Sequence, residues 1–264
     1  MRNLLRRSFS GIIFVLIFLF AILFSKESYI ALIFFFGIVA IWELSKITKI
    51  KSFISYFLFG LTVFLILKRP NSYAISIVLG INILSSGYLI YQLFAKKEII
   101  YFTERDKLGF TIRYLIFSFC FLVLLPFYNQ NYTPYLMVSI LVLIWVNDSF
   151  AFLTGKNFGK RKLFISVSPK KTIEGFIGGF IFALIAGYVI SKLNSDLSLI
   201  NWLIIAGIVS IIGTIGDLVE SKLKRQAKIK DSGTIMPGHG GILDRLDSLL
   251  FAAPFVYLYI NFII

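Results

Sequence analysis

Between Asp217 and Asp247 the chain carries five carboxylates, six cations and its only histidine, His239. If the apolar run that reaches Gly216 continues as a helix, Asp217, Glu220, Ser221 and Lys224 fall on one face by i, i+3, i+4, i+7 spacing. KIKDSGTIMPGHGG follows, and its glycines with Pro237 break regular helix and demand a tight turn around His239. Asp244 and Asp247 then stand one turn apart, with Arg245 between them, at the head of the last apolar run. Acid oxygens arriving from two helix ends, without a Cys or His cluster, suit Mg²⁺ rather than zinc. Such an ion bridges phosphate oxygens and offsets charge in phosphoryl or nucleotidyl transfer. Compensation of a helix dipole would explain Asp244 and Asp247 alone, but not five acids interleaved with six cations.

Two further stretches could share that chemistry. Asn147 and Asp148 lie within LIWVNDSFAFLTG, where an acid is expensive and marks either a functional site or an interhelical pair with a lysine. Residues 155–175, GKNFGKRKLFISVSPKKTIEG, combine glycines that permit close backbone approach with Lys156, Lys160, Arg161 and Lys162. That mixture suits a phosphate-rich ligand, although no GxxxxGK[ST] loop is present. Ser168-Pro169 predicts a helix N-cap followed by a proline at the first helical position. The amide end of that helix would favour an anion beside Lys170, Lys171, Thr172 and Glu174, where Glu174 also complements the dipole. Glu43 closes an early apolar run, can snorkel into the interface, and is given no role.

The elements that must position these residues are membrane-length helices. The 264 residues are 58% hydrophobic with mean hydropathy +0.87, more than a soluble domain of this size needs. Nine apolar segments are expected, near residues 10–24, 29–42, 53–67, 74–95, 109–127, 134–153, 173–191, 198–215 and 249–263. The first three fall short of the ~20 residues that cross a bilayer, so flanking residues must extend them or they form short or re-entrant hairpins. With the N-terminus in the cytoplasm, 23 of the 27 Lys and Arg residues lie inside, as the positive-inside rule requires. The net charge of +14 is therefore a topology signal, and nucleic acid loses its claim as a partner. The basic lead and first apolar run are expected to be a retained span, since no small-x-small cleavage site follows. Cys120 is expected as a small core residue, and KKEIIYFTERDK (96–107) as a solvated connector near lipid headgroups. We expect one all-α, polytopic membrane domain over residues 1–264, with N-terminal helices in 1–130 and catalytic helices and loops in 131–264.

Ser221-Lys-Leu-Lys224-Arg225, Lys230-Asp231-Ser-Gly233 and Pro237-Gly-His239-Gly240-Gly241-Ile-Leu-Asp244-Arg245-Leu-Asp247 together resemble the signature of phosphatidate cytidylyltransferases, the CDP-diacylglycerol synthases. SPKKTIEG and NDSFAFLTGKNFGK are similar to further landmarks of that family, so the resemblance covers roughly residues 145–250. Met236 departs from its usual Leu, Ile or Phe, and Phe152 from its usual Tyr. The resemblance implies transfer of CMP from CTP to phosphatidic acid with Mg²⁺, leaves open a second cation, and implies a homodimer in the cell's inner membrane. It implies that Asp217, Asp244 and Asp247 hold the metal, with Glu220 beside them. Lys224, Arg225, Arg245 and Lys171 are then candidates for phosphate contacts, and His239 for donating to a phosphate oxygen or holding the loop. Asn147, Asp148, Lys156, Ser168, Thr172 and Glu174 would complete the CTP site from the other polar stretch. A CTP-using lipid kinase is the competing enzyme, and would pass on the γ- rather than the α-phosphate. A transporter would show matching polar features in both halves, whereas here the acids gather in the second.

Overall fold

A computed structural model describes residues 2–51, 53–69, 73–129, 131–194, 196–236, 238 and 240–264. Among the described residues there are ten α-helices: α1 Arg2–Phe24, α2 Lys26–Thr48, α3 Ile54–Lys68, α4 Tyr73–Phe94, α5 Glu104–Phe110, α6 Phe117–Leu124, α7 Pro134–Phe158, α8 Ile173–Leu193, α9 Leu199–Gln226 and α10 Leu243–Phe262. A π-helical stretch, Thr111–Ile116, joins α5 and α6 into one rod. Among the described residues, six rods are long and apolar enough to cross a bilayer: α2, α4, α5–α6, α7, α8 and α9. Phe9–Phe24 and Ile54–Lys68 are apolar but shorter. Flanking residues do lengthen the second sequence segment, because Ser25 and Ser28 form a capping box before α2 and Lys49 closes it at φ 57°.

The last four helices pack in succession, α7 on α8, α8 on α9 and α9 on α10. Glycines allow that closeness. A Cβ on Gly175 would stand 2.7 Å from the Ala151 carbonyl oxygen, and one on Gly179 equally close to that of Asn147. At one end of the bundle the Tyr29 hydroxyl donates to the Leu122 carbonyl (2.6 Å) and the Tyr132 hydroxyl to that of Ile22 (2.7 Å). At the other end Lys107 reaches the Lys49 carbonyl (3.3 Å) and Lys222 that of Gln92 (2.7 Å). Gln226 pairs with the Ile99 backbone in both directions at 2.9 Å, and Ile99 is buried. The 96–107 segment is exposed along most of its length, as a solvated connector would be, and is anchored to the bundle at Ile99. Cys120 is buried, as expected.

The connections are not wholly irregular. Phe127–Tyr128 (β1) pairs with Asn131–Tyr132 (β2), and Lys162–Phe164 (β3) with Ser168–Thr172 (β4). The second hairpin overturns the expected helix start at Ser168-Pro169. A residue before proline is pushed towards extended backbone, and β3 supplies the partner that makes extension a strand. The helix begins at Ile173 instead, with Thr172 as its N-cap accepting from Gly175 N at 3.1 Å.

Candidate active site

Helix α9 runs unbroken through Gly216, so the expected polar face forms. Ser221 Oγ donates to Asp217 Oδ1 (3.2 Å), and Lys224 Nζ to Glu220 Oε2 (2.9 Å). Gly216 has no room for a Cβ beside Phe251 and the Asp247 carbonyl, and this close approach brings the head of α10 against the polar end of α9. Lys224 then bridges the two helices, donating also to Asp244 Oδ1 at 2.6 Å. The other oxygen of Asp244 accepts from Ser232 N (2.8 Å), Ser232 Oγ (2.9 Å) and Gly241 N (2.7 Å). Gly240 stands at φ +88°, a conformation that side chains resist, where a Cβ would strike that same carboxylate. Asp247 accepts from Ser248 N at 2.7 Å and has Asp217, Glu220 and Lys224 as its charged neighbours.

The 155–175 stretch meets this cluster through one residue. Lys171, near the end of β4, forms an ion pair with Asp217. Asp148, next to Asn147 on α7, has Lys171, Asp217 and Arg245 as its charged neighbours. Asn147 donates to Asp148 (3.2 Å) and accepts from Ser210 Oγ (2.5 Å), which fixes α7 to α9. Three helices, α7, α9 and α10, and one hairpin therefore converge.

Other expected residues are placed elsewhere. Glu174 accepts from Lys160 N (3.0 Å) and Arg161 N (3.1 Å) and holds the hairpin. Arg225 is exposed and donates to the Ile229 carbonyl (2.9 Å), closing the C-terminus of α9. Lys156 is exposed in the last turn of α7, and Ser168 pairs with Phe164 across the hairpin. Arg245 is exposed at the rim. His239, with Pro237, lies outside the described residues.

Glu43, given no role from sequence, is fully buried against the loop between α9 and α10. It accepts from Ile242 N (3.0 Å), Leu243 N (2.8 Å) and Ser232 Oγ (3.0 Å). It does not snorkel to the interface because two loop amides and a serine hydroxyl satisfy its carboxylate inside the protein. Tyr114, on the π stretch, was also unforeseen. Glu220, Asp247, Asp217 and Asp244 are its charged neighbours, and its buried hydroxyl finds no hydrogen-bond partner among the described residues.

The donor set suits a hard divalent cation, being all oxygen, and buried Glu220 Oε1 also finds no partner among the described residues. As arranged, no three acids among the described residues are close enough to grip one ion. Lysine ammonium groups pair with one carboxylate oxygen each of Asp217, Glu220 and Asp244.

Fold and site together define a polytopic helical membrane protein with an acid and lysine centre at one end of its bundle. The chain belongs to the cytidylyltransferase family, whose model matches residues 5–263. The phosphatidate cytidylyltransferase of Bacillus subtilis (strain 168) is 36% identical over 267 residues, 97% of each chain. That of Staphylococcus haemolyticus is 34% identical over 255 residues, 94% of this chain and 95% of its own. That of Haemophilus influenzae is 32% identical over 254 residues, 86% of this chain and 88% of its own.

Proposed function

We propose that the protein transfers the cytidylyl group of CTP to phosphatidate, giving CDP-diacylglycerol and pyrophosphate for phospholipid synthesis. The observation that carries this is the convergence of Asp217, Glu220, Asp244 and Asp247 with Lys171 and Lys224 in a family whose near relatives bear that activity in their names. A phosphate oxygen of the lipid attacks the α-phosphorus of CTP, and the bond to the bridging oxygen breaks as pyrophosphate leaves. The attacking oxygen is already anionic, so no side chain need remove a proton. Asp217, Asp244 and Asp247, with Glu220, would hold Mg²⁺, which supplies charge compensation at the reacting and leaving phosphates. Lys171 and Lys224 exchange carboxylate partners for phosphate oxygens, exposed Arg245 contacts phosphate, and His239 is assigned either donation to a phosphate oxygen or a part in holding the loop. Asn147 and Asp148 position the Lys171 arm.

We further propose that nine segments cross the cell membrane, α5–α6 acting as one, with the N-terminus and the site on the cytoplasmic side. The loops around the site carry most of the chain's cations, which supports that orientation. The transfer itself is tested with purified protein, phosphatidate and CTP labelled in one phosphate at a time, with Mg²⁺ or with a chelator.

A further inference from the structure

Six helices, α3 to α8, lie between Glu43 on α2 and Asp217 on α9, yet the Glu43 carboxylate is wrapped by the loop that presents Asp244. Ile242 N and Leu243 N, at the head of α10, donate to its two different oxygens. These are orphan amides of a helix start, and a carboxylate from α2 caps them in place of a local side chain. Ser232 Oγ contacts Glu43 Oε2 at 3.0 Å and Asp244 Oδ2 at 2.9 Å, so the two acids share one hydroxyl. The glycines point the same way. A Cβ on Gly233 or Gly241 would drive into the Glu43 carboxylate, so the loop's glycine pattern is cut to fit a residue of the N-terminal half.

We propose that Glu43 is a positioning residue for cytidylyl transfer, which acts by holding Ser232, Gly233 and the Gly241–Leu243 turn so that Asp244 faces α9. It touches neither substrate. This rests on the assignment of Asp244 to the transfer centre. Glu43→Gln keeps the shape but turns an amide NH₂ towards one of the two backbone donors, and so loosens one end of the cradle. In purified protein it should lower kcat at least tenfold and raise KM for CTP while KM for phosphatidate changes little, a split read in the folded fraction apart from the fall in thermal midpoint that the mispaired amide causes. Gly233→Ala attacks the same contact from the loop side and should give the same split, which decides the matter if Glu43→Gln does not fold. A purely structural role would lower the thermal midpoint and leave kcat and both KM values of the folded protein as in the parent. Asp217→Asn, outside this network, separates the two claims. Parental turnover in Asp217→Asn sinks the site assignment. Loss there, with parental kinetics in Glu43→Gln and Gly233→Ala, overturns the role of Glu43 alone.

Discussion

Asp217 and Asp244 make different demands on a mutational test. Asp244 accepts from Lys224, Ser232 and Gly241, so an asparagine there would set an NH₂ against donors and destabilise the loop by roughly 1–3 kcal/mol. Lost activity would then have two causes. Asp217 is held by Lys171 and Ser221 and its side chain is 29% exposed, so it can lose charge without orphaning a buried loop. Asp217→Asn should lower kcat about a hundredfold or more, the scale of losing one group that stabilises transition-state charge. Its thermal midpoint in detergent should stay near that of the parent. Turnover within twofold of the parent would contradict the assignment. Asp217, Glu220 and Lys224 could be read from sequence because helical spacing is local. Glu43 could not, since its partners lie about 190 residues away and no pattern within α2 refers to them.

The elements act on the site through close helix contacts. Gly175, at the head of α8, lies against Ala151 and Gly155 of α7, three residues beyond the Thr172 cap and four beyond Lys171. Gly175→Ala puts a methyl 2.7 Å from the Ala151 carbonyl oxygen, so the helices must part. Overpacking of this kind costs about 1–3 kcal/mol. The thermal midpoint should fall, and KM for CTP should rise because Lys171 moves with the cap. An unchanged midpoint together with parental KM would show that α7 and α8 do not depend on this seam. The helix–turn–helix of residues 199–262 was legible because apolar runs, breakers and paired acids mark it. The β3–β4 hairpin was not. Ser-Pro signals a helix start and an extended residue equally well, and only the pairing with β3, a tertiary fact, decides between them.

For the whole molecule, the contacts gather two sets of chain ends at opposite ends of the bundle. One set holds the acids, Lys171 and the Glu43 cradle, and the other holds Tyr132 and Tyr29 on the backbone of α1 and α6. Charge placement made that division legible, whereas length alone did not, because Phe9–Phe24 and Ile54–Lys68 remain short. Orientation is measured with an impermeant maleimide on right-side-out membrane vesicles, the buried Cys120 being silent. Asn131→Cys should label from outside, and Lys160→Cys only after permeabilisation, both positions being exposed. The reverse pattern would turn the site away from cytosolic CTP. The chemistry is tested most directly by following label from CTP into phosphatidate with the purified protein. Label from the α-phosphate should enter the lipid, depend on Mg²⁺, and be matched by release of one pyrophosphate. Label entering only from the γ-phosphate would contradict cytidylyl transfer.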